Sequence, residues 1–110
     1  MKQYLTFDQT AKLIELGFEK PSSIASVEPI YGMGGISVAK AYTIGELLSF
    51  LPENIAKENE MPSTLNISLL NGEWCVQYAD FLGTDFEFCN TELVDVLYDM
   101  IVKLKGKGVI

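Results

Sequence analysis

The chain has 110 residues, 48% hydrophobic and 21% charged, with a formal net charge of −7. That is the size of one ordinary domain with apolar material for a core, and too little charge for a disordered polyelectrolyte. All eight basic residues are lysines, so the arginine fork that grips phosphates and guanine edges is missing, and direct nucleic-acid binding is not expected.

The first expected element is a helix from about Phe7 to Leu16. Thr6 and Gln9 form a T-x-x-Q capping box, and Phe7, Ala11, Leu13 and Ile14 supply an apolar stripe. Gly17 is placed to end the helix, with Phe18 folding back on Leu13. After the break at Pro21-Ser22-Ser23, Ile24 to Tyr31 and Ile36 to Tyr42 read as extended, with Gly32-Met33-Gly34-Gly35 between them. Pro29 marks the first as an edge strand. The glycine stretch is read as a flexible turn, because a phosphate loop should open a helix and extended residues follow here.

Thr43 and Glu46 form a second capping box, and the short helix through Leu47, Leu48, Phe50 and Leu51 stops at Pro52. Glu53 to Ser63 reads as a polar loop with at most one helical turn. Asn71-Gly72 is the preferred type I′ hairpin turn. A two-residue loop there pairs Leu70 with Glu73 and so on down to Leu65 with Tyr78. That register gathers Leu65, Ile67, Leu69, Trp74, Val76 and Tyr78 on one face, and leaves Asn66, Ser68, Cys75 and Gln77 on the other. A slip of one residue would destroy the separation, so turn and pattern support each other.

A third strand through Phe86 and Phe88 follows a turn near Gly83. A last helix, capped by Asn90 or Thr91, carries the stripe Leu93, Leu97, Met100, Ile101 and Leu104, and ends at Gly106. The predicted fold is α+β in two layers: an antiparallel sheet of three to five strands covered on one face by helices. The C-terminal helix is expected across the Leu65–Tyr78 hairpin. The whole chain, 1–110, is expected to be one domain.

Histidine is absent, which removes the Ser-His-Asp and Cys-His constellations and the usual neutral-pH base. No catalytic, cofactor or metal site is assigned, and the chain is expected not to be an enzyme. Cys75 and Cys89 lack C-x-x-C spacing and are expected as half-buried thiols, unpaired even if their strands adjoin, in a reducing compartment. Asp80, Asp85 and Glu87 are oxygen donors around a turn, but their spacing is not that of a calcium loop, so a metal-dependent or other enzyme using them or a cysteine is the less favoured alternative. Asp95 and Asp99 form an acidic ridge beside Glu92. No signal-peptide h-region follows the N-terminus and no run is long enough for a membrane span, so a cytoplasmic chain without membrane contact is expected.

Residues 53–99 carry ten acids against the single Lys57. This permits an alternative role as an acidic DNA mimic that blocks a nucleic-acid-binding protein. The aromatic residues exceed what one sheet face can bury, and Tyr31, Tyr42 and Phe81, near predicted turns, are the candidate interaction surface for an unknown protein partner or a second copy.

Three patterns resemble a family of small proteins, without assigned activity, from prophages and mobile elements of gut anaerobic bacteria. They are Thr6-x-x-Gln9 leading to Leu13-x-x-Leu16-Gly17, Tyr42-Thr43 leading to Leu47-Leu48-Ser49-Phe50-Leu51-Pro52, and Glu92-Leu93-Val94-Asp95-x-Leu97-Tyr98. The resemblance rests on caps and core positions. It implies a phage or mobile-element accessory protein and no mechanism.

Overall fold

The computed structural model describes residues 3–22, 24–30, 35–57 and 60–110. Its elements run α1 (Phe7–Glu15), β1 (Ile24–Ile30), β2 (Gly35–Lys40), α2 (Ile44–Phe50), β3 (Asn54–Lys57), β4 (Glu60–Leu70), β5 (Glu73–Asp80), β6 (Gly83–Asn90) and α3 (Leu93–Gly106). β3-β4-β5-β6 form an antiparallel meander, and β1 and β2 pair as a separate antiparallel ribbon. The fold is α+β with an antiparallel sheet, as the residue pattern predicts.

Local chemistry sets the helix boundaries. Thr6 Oγ1 accepts from the Gln9 amide while Gln9 Oε1 accepts from the Thr6 amide, so α1 starts on a complete capping box. Gly17, at φ 100°, ends it, with the Phe18 amide returning to the Leu13 carbonyl. The box at α2 is equally complete, and Glu46 also accepts from the Ser22 amide through its second oxygen. Replacing Thr43 with Ala leaves the Glu46 amide of α2 without its acceptor. A loss of about 1 kcal/mol is expected, read as a lower urea midpoint at unchanged slope.

The Asn71-Gly72 turn has φ 52° and 78°, both positive as a type I′ turn requires. β4 and β5 pair in the predicted register, from Leu70 with Glu73 to Leu65 with Tyr78. Val76 and Tyr78 are fully buried. They meet the α3 stripe Leu93, Val94, Leu97, Met100, Ile101 and Leu104. Phe18 and Phe50 tilt together at 4.9 Å, Tyr42 meets Phe50 edge-on at 5.3 Å, and Lys105 Nζ lies 5.6 Å from the Phe18 ring centre. This cluster joins the end of α1 to α2 and α3.

Three expectations are corrected. Within the stretch expected as a polar loop, β3 (Asn54–Lys57) and the start of β4 from Glu60 are strands, paired Asn54 with Thr64 and Ile55 with Ser63. Partner strands supply the hydrogen bonds that local propensity does not signal. The last helix is capped by neither Asn90 nor Thr91. Its N-cap is Glu92, and Asn90 Oδ1 accepts the Glu92 amide two residues on. α3 ends at Gly106 as expected, and the chain then reverses at Gly108, φ 74°, with the Val109 amide on the Leu104 carbonyl. Finally, α3 lies on β5 and β6 rather than across the β4–β5 hairpin.

That placement follows from dimensions. A helix is about 10 Å across with its side chains, and strands are spaced about 4.8 Å, so one helix covers roughly two strands. The 14 residues of α3 span about 21 Å, against about 37 Å for the 11 of β4. Parts of the apolar sheet face must therefore lie beyond the helix. The molecule is elongated, 61 × 32 × 17 Å, with a radius of gyration of 16.5 Å against roughly 13 Å for a compact chain of this length.

Candidate interaction surface

The uncovered face is the main chemical feature of the surface. Leu65, Ile67 and Leu69 share the face that Val76 and Tyr78 turn to the core, as the register predicts. Leu65 packs partly against the core, whereas Ile67 is 38% and Leu69 53% exposed. Leu70, on the opposite face beside the turn, is exposed as well. A second apolar group lies at the other end of the meander: Phe81, 77% exposed, and Leu82 form the β5–β6 turn, and β4 carries exposed Met61 toward that end.

The edge of β4 is equally specific. β3 pairs with β4 only as far as Thr64, and the Leu65 amide donates to the Glu53 carbonyl at 3.0 Å. Leu65 therefore points its backbone away from β5. Alternation along a strand gives Ile67 and Leu69 the same direction. Among the described residues no strand flanks β4 beyond Leu65. From Met61 to Gly72 the chain carries no charged residue. Natural edge strands are normally blunted by lysine, proline or a bulge, and residues 66–70 have none of these.

Of the predicted surface aromatics, Phe81 is exposed. Tyr42 is corrected: it is fully buried, and its hydroxyl donates to the Glu19 carbonyl. Burial holds that hydroxyl above the ordinary tyrosine pKa, with Glu46 and Glu19 adding to the effect. Tyr31 and Gly32 to Gly34, expected as a turn, lie outside the described residues, and Gly35 begins β2.

The cysteines are also corrected. β5 and β6 bring Cys75 directly opposite Cys89, with Cα atoms 4.1 Å apart, and the two form a disulfide on the polar face. The cause is register. Cys75 exchanges its backbone hydrogen bonds with Ser68 on β4, so on the β6 side it belongs to the closer, non-hydrogen-bonded type of pair.

The acids do not converge. Asp80 Oδ1 accepts the Leu82 and Gly83 amides at 2.8 and 3.1 Å and so shapes the turn. β6 carries one extra residue opposite the Tyr78–Ala79 step, Asp85, whose carboxylate accepts the buried Ser63 hydroxyl. Glu87 is opposite Gln77 on the polar face. Among the described residues no group of three or more His, Cys, Asp or Glu side chains could hold a metal ion. Gln9 Nε2 donates to Asp95 Oδ1 at 3.2 Å, tying α1 to α3. Partial burial, and then neighbouring Asp95, raise the Asp99 pKa. An open depression of about 270 Å³ is lined, among the described residues, by the uncharged Gln3, Tyr4, Thr43, Ile44 and Gly45.

Tyr78 fastens the sheet beneath the helices. Its hydroxyl donates to the Pro52 carbonyl at 2.6 Å, and burial pushes its pKa up to about 12. Between pH 10 and 12 the unfolded chain loses this proton and the folded chain keeps it. Stability therefore falls as pH rises through that window. Tyr78→Phe is expected to cost about 1–3 kcal/mol at neutral pH, by stranding the Pro52 carbonyl, and to fall less steeply above pH 10. Denaturant titrations at pH 7, 10 and 11 check both effects.

Among the described residues no helix is long and apolar enough to cross a membrane. No family model, curated protein or solved structure matches the chain.

Proposed function

We propose that this chain is a non-enzymatic accessory protein of a phage or mobile element that acts by binding protein, either another chain or a second copy of itself. The observation that supports this most is the uncharged, partly uncovered apolar edge of β4 on a chain of net charge −7. An apolar strip bearing outward-facing backbone groups is a surface on which another polypeptide can extend a sheet. The reading keeps the chain in the cytoplasm. There the cellular reductants would hold Cys75 and Cys89 as apposed thiols, whereas an oxidising compartment would retain the bond.

The test is site-specific photo-crosslinking in cells. A photoreactive residue at Ile67 or Phe81 is expected to give a discrete protein adduct, whereas the same residue at Glu87 on the polar face gives none. Equal labelling at all three positions would remove the reading. The alternative, an acidic mimic of DNA, draws on the carboxylate excess of residues 53–99. It predicts the dominant adduct at Glu87 rather than at Ile67.

A further inference from the structure

Resting on the protein-binding reading, we infer that the occupant of the open β4 edge is a second copy of this chain, paired antiparallel through Ile67 and Leu69 about a two-fold axis at Ser68. Three observations carry this.

The first is backbone direction. The closing pair Leu70–Glu73 and the outward Leu65 amide fix the phase of β4, so within 66–70 the residues presenting both N–H and C=O to the open edge are Ile67 and Leu69. They are two residues apart. Ile67 of one copy therefore faces Leu69 of the next, and Leu69 faces Ile67. Each pair exchanges two N–H···O bonds, and the axis falls on Ser68. The edge is thus its own complement.

The second is side-chain chemistry. In that register Ile67 and Leu69, the exposed apolar residues of the inner face, become cross-strand neighbours of their counterparts. Leu65 and Trp74 lie next to them on the same face. On the outer face Ser68 meets Ser68 across the axis, and no charged side chain of β4 is brought opposite another.

The third is charge. Two copies at −7 each repel, and ten of the fifteen acids lie within residues 53–99. The 61–72 stretch contains none of them. A basic partner would gain most from docking on the acidic surface. An edge without charge gives such a partner no electrostatic advantage, and it is where two acidic copies oppose each other least.

Sedimentation equilibrium of the full chain across a concentration series tests the inference. The apparent mass is expected to rise from 12.2 kDa toward twice that value. Leu69→Lys is expected to stay at monomer mass while its far-ultraviolet circular dichroism matches the parent. Leu69→Pro provides a second variant. It removes an N–H that faces outward, which the β4–β5 ladder does not use, so the monomer folds and the association is lost. Phe81→Lys, at the other end of the meander, is expected to associate like the parent. A parent chain that remains monomeric at every concentration would overturn the inference, as would undiminished association of a folded Leu69→Pro. If the parent is monomeric but Ile67 crosslinks a different protein in cells, self-pairing fails and the binding reading stands. If Ile67 and Phe81 crosslink nothing, both fail.

Discussion

Replacing Leu97 with Ala is expected to cost about 2–5 kcal/mol of folding stability. Leu97 is fully buried in the middle of α3, within the cluster that includes Val76 and Tyr78 below and Leu47 on α2. Truncation loses the transfer free energy of the deleted carbons and leaves a cavity that two packed layers can close only in part. A domain of this size is stable by about 5–15 kcal/mol, so the variant gives up a large share. Urea titration followed by circular dichroism is the check. The midpoint should fall with the slope unchanged. A loss below about 1 kcal/mol would mean that α3 does not seat on β5 and β6 as described.

Breaking the Cys75–Cys89 disulfide is the second large effect. The bond closes a 14-residue separation across the β5–β6 hairpin. Chain-entropy reasoning assigns a loop of about 15 residues roughly 3 kcal/mol, through restriction of the unfolded chain. For about 100 residues that corresponds to a fall in Tm of roughly 10–20 °C. The pair lies on the face away from α3, and Cys89 is exposed, so reductant reaches it without unfolding the core. Thermal melts with and without reductant measure the loss, and Cys75→Ser with Cys89→Ser should reproduce the reduced melt. Identical melts would show that the two sulfurs are not joined in solution.

The β4–β5 hairpin was fully legible in the residues, because a type I′ turn fixes its register and a two-residue period independently fixes its faces. Both capping boxes were legible for the same reason: side chain and backbone amide lie within one turn of each other. What could not be read depended on distant partners. Asn54–Lys57 and the start of β4 are mostly polar and include Pro62, and they become strands because β4 folds back on β3. The β5–β6 register has no comparable turn signature at Phe81-Leu82 and contains the extra residue Asp85, so the meeting of Cys75 with Cys89 was hidden. Tyr42 adjoins a helix start, which suggests exposure, but Phe50 and the Glu19 carbonyl enclose it.

The candidate surface was legible in part. Phe81 was recognisable as a turn aromatic. Ile67 and Leu69 were assigned to the core face correctly, but their exposure depends on where α3 lies over the sheet. One helix covering two of four strands leaves them bare, and the pattern of β4 itself carries no sign of it. The missing charge from Met61 to Gly72 is visible in the sequence, and it takes on meaning once that stretch is known to form an open edge.

The most direct test of the edge-pairing account is amide hydrogen exchange at Ile67 and Leu69, resolved by residue and repeated at low and high protein concentration. Edge pairing predicts that both amides exchange rapidly in dilute solution and become protected together as concentration rises, while the Ser68 amide, held by β5, stays protected throughout. Amides at 67 and 69 that exchange at one unchanged, rapid rate across the series would contradict it.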